Sequence, residues 1–146
     1  PLWSRGLGDV YKRQGYGLGL ALGAKIAAPE KIVINVMGDA AFGMAGMDLE
    51  TASRSELGTI TVVLNNGVMT HYYDHFPHAT EHWKSNELGG NYTETAKSLG
   101  AYGERVTSPD EIGSAMARAV EATKNGQPAL LEMISKEEET ISTYGR

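Results

Sequence analysis

The stretch that decides the fold is IVINVMGDAAFG, residues 32–43. Of its first six residues, five are apolar and four are β-branched, which predicts a buried strand over 31–37. Gly38 and Asp39 follow at once, before two alanines. We predict a turn over GDAAFG, yet a turn alone needs only Asp-Gly or Asn-Gly. A carboxylate beside unusually small side chains therefore indicates a binding role.

The rest of the chain alternates helical and strand patterns around this stretch. Residues 15–28 are small and apolar and predict a helix that begins near Tyr16 or Leu18, with glycines that permit close packing. Further predicted elements are a helix over 46–57 that stops at Gly58, a strand over 59–66, a helix over 92–99, and strands over 101–106 and 128–134. The polar and aromatic stretch 67–90 fits neither period, and a loop of that length is typical of functional segments.

The strongest helix signal lies in SPDEIGSAMARAVEATKNG, residues 108–126. Ser108 is the predicted N-cap, with Pro109 at the first helical position and Glu111 completing a capping box. Gly126 ends the helix. The predicted inner stripe comprises Ile112, Met116, Ala119 and Val120. Strands that alternate with helices predict an α/β fold, a parallel sheet with helices on both faces.

Bulk composition narrows the functional classes. The net charge of -5 argues against a nucleic-acid surface, and the absence of cysteine excludes disulfides and thiolate metal sites. No apolar run approaches the roughly 18 residues that a membrane span needs. We therefore expect a cytoplasmic protein with neither a nucleic-acid nor a membrane partner.

The amino-terminal segment differs from the remainder. Residues 1–14, PLWSRGLGDVYKRQ, begin without an initiator methionine and show no sustained period. The stretch SRGLGDVYKRQ resembles translated adapter read-through, so we expect a non-native segment and exclude it from fold reasoning. We assign residues 15–136 to one domain and residues 137–146 to a polar tail, and we expect the chain to be a fragment.

Two predicted strands deliver polar residues at their carboxyl ends, Asp39 in one case and Asn65-Asn66 in the other. Parallel sheets bind ligands beyond these ends. Carboxylate and amide oxygens suit magnesium or calcium, not zinc. The bare amides of Ala40 and Ala41, just before a helix, favour an anion. A diphosphate that magnesium bridges to the protein would satisfy both features.

These residues resemble a known motif. Gly38-Asp39-Ala40, followed 27 positions after Asp39 by Asn66, is similar to the thiamine-diphosphate motif. That motif belongs to the diphosphate-binding domain of enzymes such as acetolactate synthase, pyruvate decarboxylase and benzoylformate decarboxylase. The glycine-rich helix and strand of residues 15–42 and the strand-helix-strand of residues 98–134 also look like this family. The resemblance covers residues 15–136 and implies the family's thiamine-diphosphate-binding fold.

The resemblance also implies a ligand set, carried over position by position. Asp39, the side-chain oxygen of Asn66 and the backbone carbonyl of Val68 would bind magnesium. Contacts with the cofactor would be made by Gly38, Asp39, Ala40, Ala41, Asn66, Val68 and Met69. Many members carry a hydroxyl residue at the position of Ala41, so one hydrogen bond to phosphate would be missing. His71, soon after Val68, is a candidate for proton transfer near neutral pH.

For activity, the resemblance implies magnesium-dependent binding of thiamine diphosphate in a 2-oxo acid decarboxylase or an acetolactate-synthase-like enzyme, a lyase or a transferase. In relatives, the glutamate that activates the cofactor sits on a separate domain, normally in a partner subunit. We therefore expect the fragment alone to be inactive. We further expect a small-molecule 2-oxo acid as the substrate, and a homo-oligomer that includes the pyrimidine-binding domain.

Three alternatives remain open. In the first, the chain is a non-catalytic or separate small subunit of a thiamine-diphosphate enzyme, because the activating glutamate lies elsewhere. HATEH, residues 78–82, fits the H-x-x-E-H pattern and suggests a zinc hydrolase. GYGLGLALG, residues 15–23, suggests a nucleotide-binding oxidoreductase, although it lacks the G-x-G-x-x-G spacing of that class.

Overall fold

The computed structural model describes residues 15–69 and 72–137. Within these ranges, four strands form one parallel sheet in the order β1-β2-β4-β3. The strands are β1 (Ile34–Gly38), β2 (Ile60–Asn65), β3 (Tyr102–Val106) and β4 (Ala129–Ile134). The expectations for residues 1–14, for His71 and for most of the tail 137–146 fall outside the described residues.

Helices lie on both faces of the sheet. They are α1 (Tyr16–Ala27), α2 (Asp39–Ala45), α3 (Asp48–Arg54), α4 (Tyr72–His75), α5 (Pro77–Trp83), α6 (Tyr92–Ser98) and α7 (Ile112–Lys124). None of these helices combines the length and apolarity needed to cross a lipid bilayer. The predicted α/β class, a parallel sheet with helices on both faces, is confirmed.

Two apolar cores form, one on each face of the sheet. The first joins α1, α2, α3 and α6 to the strands through Leu18, Met37, Phe42, Leu49, Val63, Ala96, Ala101 and Leu130. The second joins α7 to the strands through Ile60, Val62, Val106, Ala115, Ala119, Ala129 and Leu131. Because successive strand residues point to opposite faces, Val62 and Val63 enter different cores. Burial on both faces explains the near-continuous apolar runs of β2 and β4.

Strand β1 is less buried than its composition predicts. It begins at Ile34, not at residue 31, and forms one edge of the described sheet. Met37 faces the first core, whereas Ile34 and Val36 are 49% and 61% exposed. The second core, which α7 closes, contains no residue of β1. The expectation of a buried strand is therefore met on one face only.

After Gly38, the segment GDAAFG is helical and is not the predicted turn. Helix α2 begins at Asp39, directly after β1, with Gly38 as an N-cap of extended conformation. Alanine has the highest helix propensity, and an acidic residue in the first turn complements the helix dipole. Phe42, which is buried, then anchors the helix in the first core. These preferences override the turn signal of Gly-Asp.

Helix α3 is shorter than the predicted 46–57. Glu56 takes a left-handed backbone φ of 52°, and the N–H of Leu57 bonds to the carbonyl of Ala52 at 2.9 Å, so the helix ends before Gly58. Gly58 is needed for a different reason. A Cβ at this position would lie 2.4 Å from the carbonyl oxygen of Thr123, near the end of α7.

The start and the end of α7 follow the predicted signals. A 3₁₀ turn, Pro109–Glu111, leads into the helix and carries the capping box. The side chain of Ser108 accepts from the backbone of this turn, while the Glu111 carboxylate accepts from the N–H of Ser108 at 3.3 Å. Gly126, with a φ of 79°, follows the helix as predicted.

The face that α7 turns to the sheet differs from the predicted stripe. Ala115 and Ala119 are fully buried, Met116 and Val120 are partly buried, and Ile112 is 40% exposed. Alanines let the helix approach the sheet closely, so the larger side chains flank the contact. The prediction is therefore right for Ala119 and wrong for Ile112.

The polar segment 67–90 contains two short helices, α4 and α5, and is not one continuous loop. Pro77 occupies the first position of α5, which its fixed φ favours. An isolated antiparallel bridge pairs Val68 with Glu87, so the segment returns to the place where it left the sheet.

Replacing Gly17 with alanine is expected to destabilise the fold. Helix α1 packs on β1, and a Cβ at Gly17 would lie 2.4 Å from Oδ1 of the buried Asn35. Asn35 is buried and donates to the sulfur of Met37, so its side chain has little room to move. Overpacking costs ~1–3 kcal/mol and better helix propensity returns about 1 kcal/mol, which leaves a net loss of up to about 2 kcal/mol. Urea unfolding of the 146-residue chain measures the difference.

The matched control for this prediction is Gly19→Ala in the same helix. A Cβ at Gly19 would meet nothing within 4 Å. Only the propensity gain applies there, so this variant is expected to be slightly more stable than the parent chain. Equal changes in the two variants would contradict the packing argument. Close packing through glycine is thus specific to Gly17 in this pair.

Candidate functional site

The carboxyl ends of β1 and β2 lie side by side. Gly38, the last residue of β1, is in register with Leu64 of β2. Asp39 follows β1 directly, and its Oδ2 accepts a hydrogen bond from the N–H of Gly67 at 2.9 Å. The structure thus brings Asp39 together with the turn that carries Asn66.

Asp39 is only 3% exposed, and both of its carboxylate oxygens accept hydrogen bonds. Oδ1 accepts from the N–H of Ala40 at 2.8 Å, and Oδ2 accepts from Gly67. A carboxylate offers about four lone-pair positions, so each oxygen keeps capacity for a further ligand. The N–H of Ala40, which we predict from the sequence to bind an anion, donates to Asp39 in this structure.

The turn after β2 holds its polar atoms in fixed directions. Oδ1 of Asn66 accepts from the N–H of Val68 at 3.1 Å, and Gly67 takes a positive φ of 75°. Two backbone bonds to residues 86–88 brace the turn, through the N–H of Met69 at 2.7 Å and the carbonyl of Gly67 at 2.8 Å. Neither of these two bonds uses the carbonyl of Val68.

The oxygen donors at this edge are of three kinds: the carboxylate of Asp39, the side-chain amide of Asn66 and the backbone carbonyl of Val68. Hard cations such as magnesium prefer such oxygens, whereas zinc favours thiolate and imidazole. The donor set therefore fits a magnesium ion.

Tyr92 lies near two of the carboxylates at this end of the sheet. Tyr92 packs edge-on against Phe42 of α2, with ring centroids 5.5 Å apart. The pKa of Tyr92 is raised, first by burial and then by the negative charges of Asp39 and Glu132. The two carboxylates therefore disfavour the phenolate form of Tyr92, in addition to its burial.

A buried carboxylate that the sequence analysis did not single out lies next to the turn. Glu132, in β4, is fully buried and accepts four hydrogen bonds. The donors are Asn65 Nδ2 at 2.8 Å, Arg105 Nη2 at 2.8 Å, and the N–H and hydroxyl of Thr93 at 3.2 and 2.6 Å. The available signal was one acidic residue inside the apolar run PALLEMI.

Glu132 is ionised despite its burial. Burial is the largest single effect on its pKa and raises it. The hydrogen bonds from Arg105, Thr93 and Asn65 together outweigh burial and lower the pKa from 4.5 to about 2. Glu132 is therefore an anion at neutral pH, and it forms an ion pair with the partly exposed Arg105.

The H-x-x-E-H segment forms part of α5 and presents a separate cluster. The ligand atoms of His78, Glu81 and His82 lie within 4.8 Å of one another, and all three side chains are exposed. Catalytic zinc works in a dry, shaped cavity. The cluster therefore has zinc-type ligands without the surroundings that a zinc hydrolase requires.

Comparison with known proteins places this geometry in a family. The model for the thiamine pyrophosphate enzyme C-terminal TPP binding domain matches residues 7–133. The acetolactate synthase catalytic subunit of Aspergillus candidus is 33% identical over 135 residues, which cover 90% of this chain and 18% of that protein. The 2-hydroxyacyl-CoA lyase of Arabidopsis thaliana is 31% identical over 133 residues, which cover 82% of this chain and 22% of that protein. The chain thus spans about a fifth of the length of these relatives.

A solved structure shares the fold. The thiamine diphosphate-dependent 4-hydroxybenzoylformate decarboxylase of Rhodococcus jostii RHA1 matches with a TM-score of 0.72 at 23% identity, over 86% of this chain and 24% of that one. The family model covers most of the chain. The chain belongs to the thiamine pyrophosphate enzymes and represents their C-terminal TPP-binding domain.

Proposed function

We propose that the chain binds thiamine diphosphate through magnesium, as the cofactor-binding domain of a 2-oxo acid decarboxylase or an acetolactate-synthase-like enzyme. One observation carries this proposal: the Oδ2 of Asp39 accepts from the N–H of Gly67 at 2.9 Å. This bond joins the carboxylate after β1 to the turn after β2. The similarity to acetolactate synthases and to a 2-hydroxyacyl-CoA lyase supports the same cofactor chemistry.

The proposed magnesium ligands are Asp39, the side-chain oxygen of Asn66 and the backbone carbonyl of Val68. Magnesium uses few protein ligands and takes the others from phosphate and water. Three oxygens from this chain suit that requirement. The remaining proposed contacts with the cofactor are made by Gly38, Ala40, Ala41 and Met69.

When bound, thiamine diphosphate supplies the electron sink for cleaving a bond next to a carbonyl group. The residues of this chain hold and orient the diphosphate end. We place the activating glutamate on another domain, in a homo-oligomer, and so propose that this chain alone does not decarboxylate a 2-oxo acid. Some relatives are mitochondrial, so the cytoplasmic location stays a prediction.

An amide NMR titration of the 146-residue chain tests the binding proposal. Thiamine diphosphate with magnesium is expected to shift the amide signals of Ala41, Gly67 and Val68, because these groups line the proposed site. NMR suits the experiment because it detects millimolar affinities, and this chain contacts only one end of the cofactor. Thiamine without its diphosphate is the control ligand and is expected to leave these signals unchanged.

Two outcomes would contradict the proposal in different ways. Equal shifts with and without magnesium would refute the metal bridge while keeping a cofactor site. No shift at saturating magnesium and millimolar thiamine diphosphate would refute cofactor binding by this chain. Shifts confined to α5, near His78 and His82, would favour the histidine cluster as the ligand site.

A further inference from the structure

We propose that Glu132 is a positioning residue for the magnesium-binding turn. As a carboxylate that only accepts hydrogen bonds, it fixes the orientation of the Asn65 amide. Through Asn65 it then fixes the N–H of Gly67, which lies between the proposed ligands Asn66 and Val68. The expected effect on cofactor binding rests on the proposed function. The expected effect on the amide hydrogen exchange of Gly67 does not.

The first link joins β4 to the end of β2. Oε1 of Glu132 accepts from Nδ2 of Asn65 at 2.8 Å. An ionised carboxylate carries no hydrogen, so the Asn65 amide can meet it only with its NH₂ group. The oxygen of the same amide must then point the other way. It accepts from the N–H of Gly67 at 3.1 Å.

The second link joins the amide to the proposed site. The N–H of Gly67 is shared between Oδ1 of Asn65 and Oδ2 of Asp39, at 3.1 and 2.9 Å. If the Asn65 amide were reversed, its NH₂ group would oppose the N–H of Gly67, donor against donor. The peptide would then lose one of its two acceptors, and the turn that carries Asn66 and Val68 would be less constrained.

Stability alone does not account for a carboxylate at this position. A buried ion pair is weak evidence for stability, because apolar residues of similar volume often serve as well. Strand β4 is otherwise apolar where it is buried, through Ala129, Leu130 and Leu131. Arg105 of β3 forms an ion pair with Glu132, and Thr93 of α6 donates two hydrogen bonds to it. A carboxylate only accepts hydrogen bonds, and this property orients the Asn65 amide towards the turn after β2.

A reciprocal exchange of donor and acceptor tests the inference. Glu132→Gln places an NH₂ group where a carboxylate oxygen stood, and Asn65→Asp places a carboxylate oxygen where an NH₂ group stood. Each single variant is expected to weaken magnesium-dependent binding of thiamine diphosphate ~10–100-fold, the range for residues that support metal ligands. In the double variant the introduced amide donates to the introduced carboxylate, which still accepts from Gly67. Arg105, whose Nη2 shares Oε1 of Glu132 with Asn65, loses that acceptor, but its side chain is 44% exposed and can turn to solvent. Affinity is therefore expected to return to within about threefold of the parent chain.

Amide hydrogen exchange of Gly67 without any cofactor gives the second readout. Both single variants are expected to speed this exchange, and the double variant is expected to slow it again. Glu104→Gln is the matched control. Glu104 is also a strand carboxylate paired with an arginine, Arg118, but it lies on the opposite face of the sheet. This control is expected to leave Gly67 unchanged.

The outcomes separate this inference from the proposed function. If the double variant exchanges as fast as the single variants, the inference is wrong whether or not the cofactor binds. If the double variant restores slow hydrogen exchange at Gly67 while the parent chain binds no cofactor, the positioning role of Glu132 stands and the proposed function fails. Should Glu132→Gln not fold, Asn65→Ala removes the same link from a partly exposed position. Unchanged Gly67 exchange in that variant would overturn the inference.

Discussion

Replacing Asp39 with alanine is expected to abolish magnesium-dependent binding of thiamine diphosphate. The carboxylate is the only charged group among the three proposed ligands, and it also holds the turn after β2 through Gly67. Losing a direct ligand exceeds the ~10–100-fold cost of losing a supporting residue, so affinity should fall by more than about 100-fold. The NMR titration of the purified variant measures this loss.

The control for Asp39→Ala is Asp110→Ala. Asp110 is exposed in the 3₁₀ turn before α7 and lies outside the proposed site. Its variant should bind as the parent chain does. Because Asp39→Ala also removes acceptors for two backbone N–H groups, its fold is checked from the amide signals of β4. Parent-like affinity in a folded Asp39→Ala chain would refute the assignment of this carboxylate as a magnesium ligand.

Acid is expected to remove the part of the stability that depends on Glu132. The fold lowers the pKa of this carboxyl from 4.5 to about 2, so the folded state favours the ionised form. The contribution is present above pH 4.5 and is lost progressively as the pH falls from 4.5 to about 2, so a large part of it is already lost at pH 3. One pKa unit corresponds to about 1.4 kcal/mol, so the contribution is on the order of 3 kcal/mol.

Urea unfolding at pH 7 and pH 3 measures this contribution. Glu132→Gln is expected to cost ~1–3 kcal/mol at pH 7, because buried donors lose acceptors. The variant should also lose less stability than the parent chain between pH 7 and pH 3. Glu121→Gln, at an exposed position on α7, is the control and should keep the pH dependence of the parent. Identical pH dependence in the parent chain and Glu132→Gln would contradict the prediction.

The strand ends were predictable because the signal is local. A β-branched run stops at Gly38-Asp39, and another stops at Asn65-Asn66. The rule that parallel strands present their carboxyl ends at one edge of the sheet then brings the two together. The capping box at Ser108 was predictable for the same reason, since it depends only on neighbouring residues.

The exposure of β1 was not predictable in this way. The apolar composition of β1 is that of a central strand covered on both faces, although β1 is an edge strand with one face uncovered. The exposure of Ile34 and Val36 depends on the order of the strands in the sheet and on which strands α7 covers. Helix α2 was missed because Gly-Asp is both a turn signal and a good helix start.

Glu132 was missed because its partners are distant in sequence. The residues that bind it, Asn65, Thr93 and Arg105, come from β2, α6 and β3. A single acidic residue in a strand usually marks a solvent-facing position, and only the fold shows that this one is buried. Part of the proposed site is local in sequence, whereas the network that supports it is not.

The order of the strands has a consequence for how the chain folds during synthesis. Strand β4 lies between β2 and β3 and follows both in sequence. On the ribosome, β1 and β2 can pair early, but β3 cannot join the sheet until residues 129–134 have emerged. A nascent chain stalled before Ala129 would expose unpaired edges on β2 and β3. Such edges are the kind of surface that chaperones recognise and that other chains join.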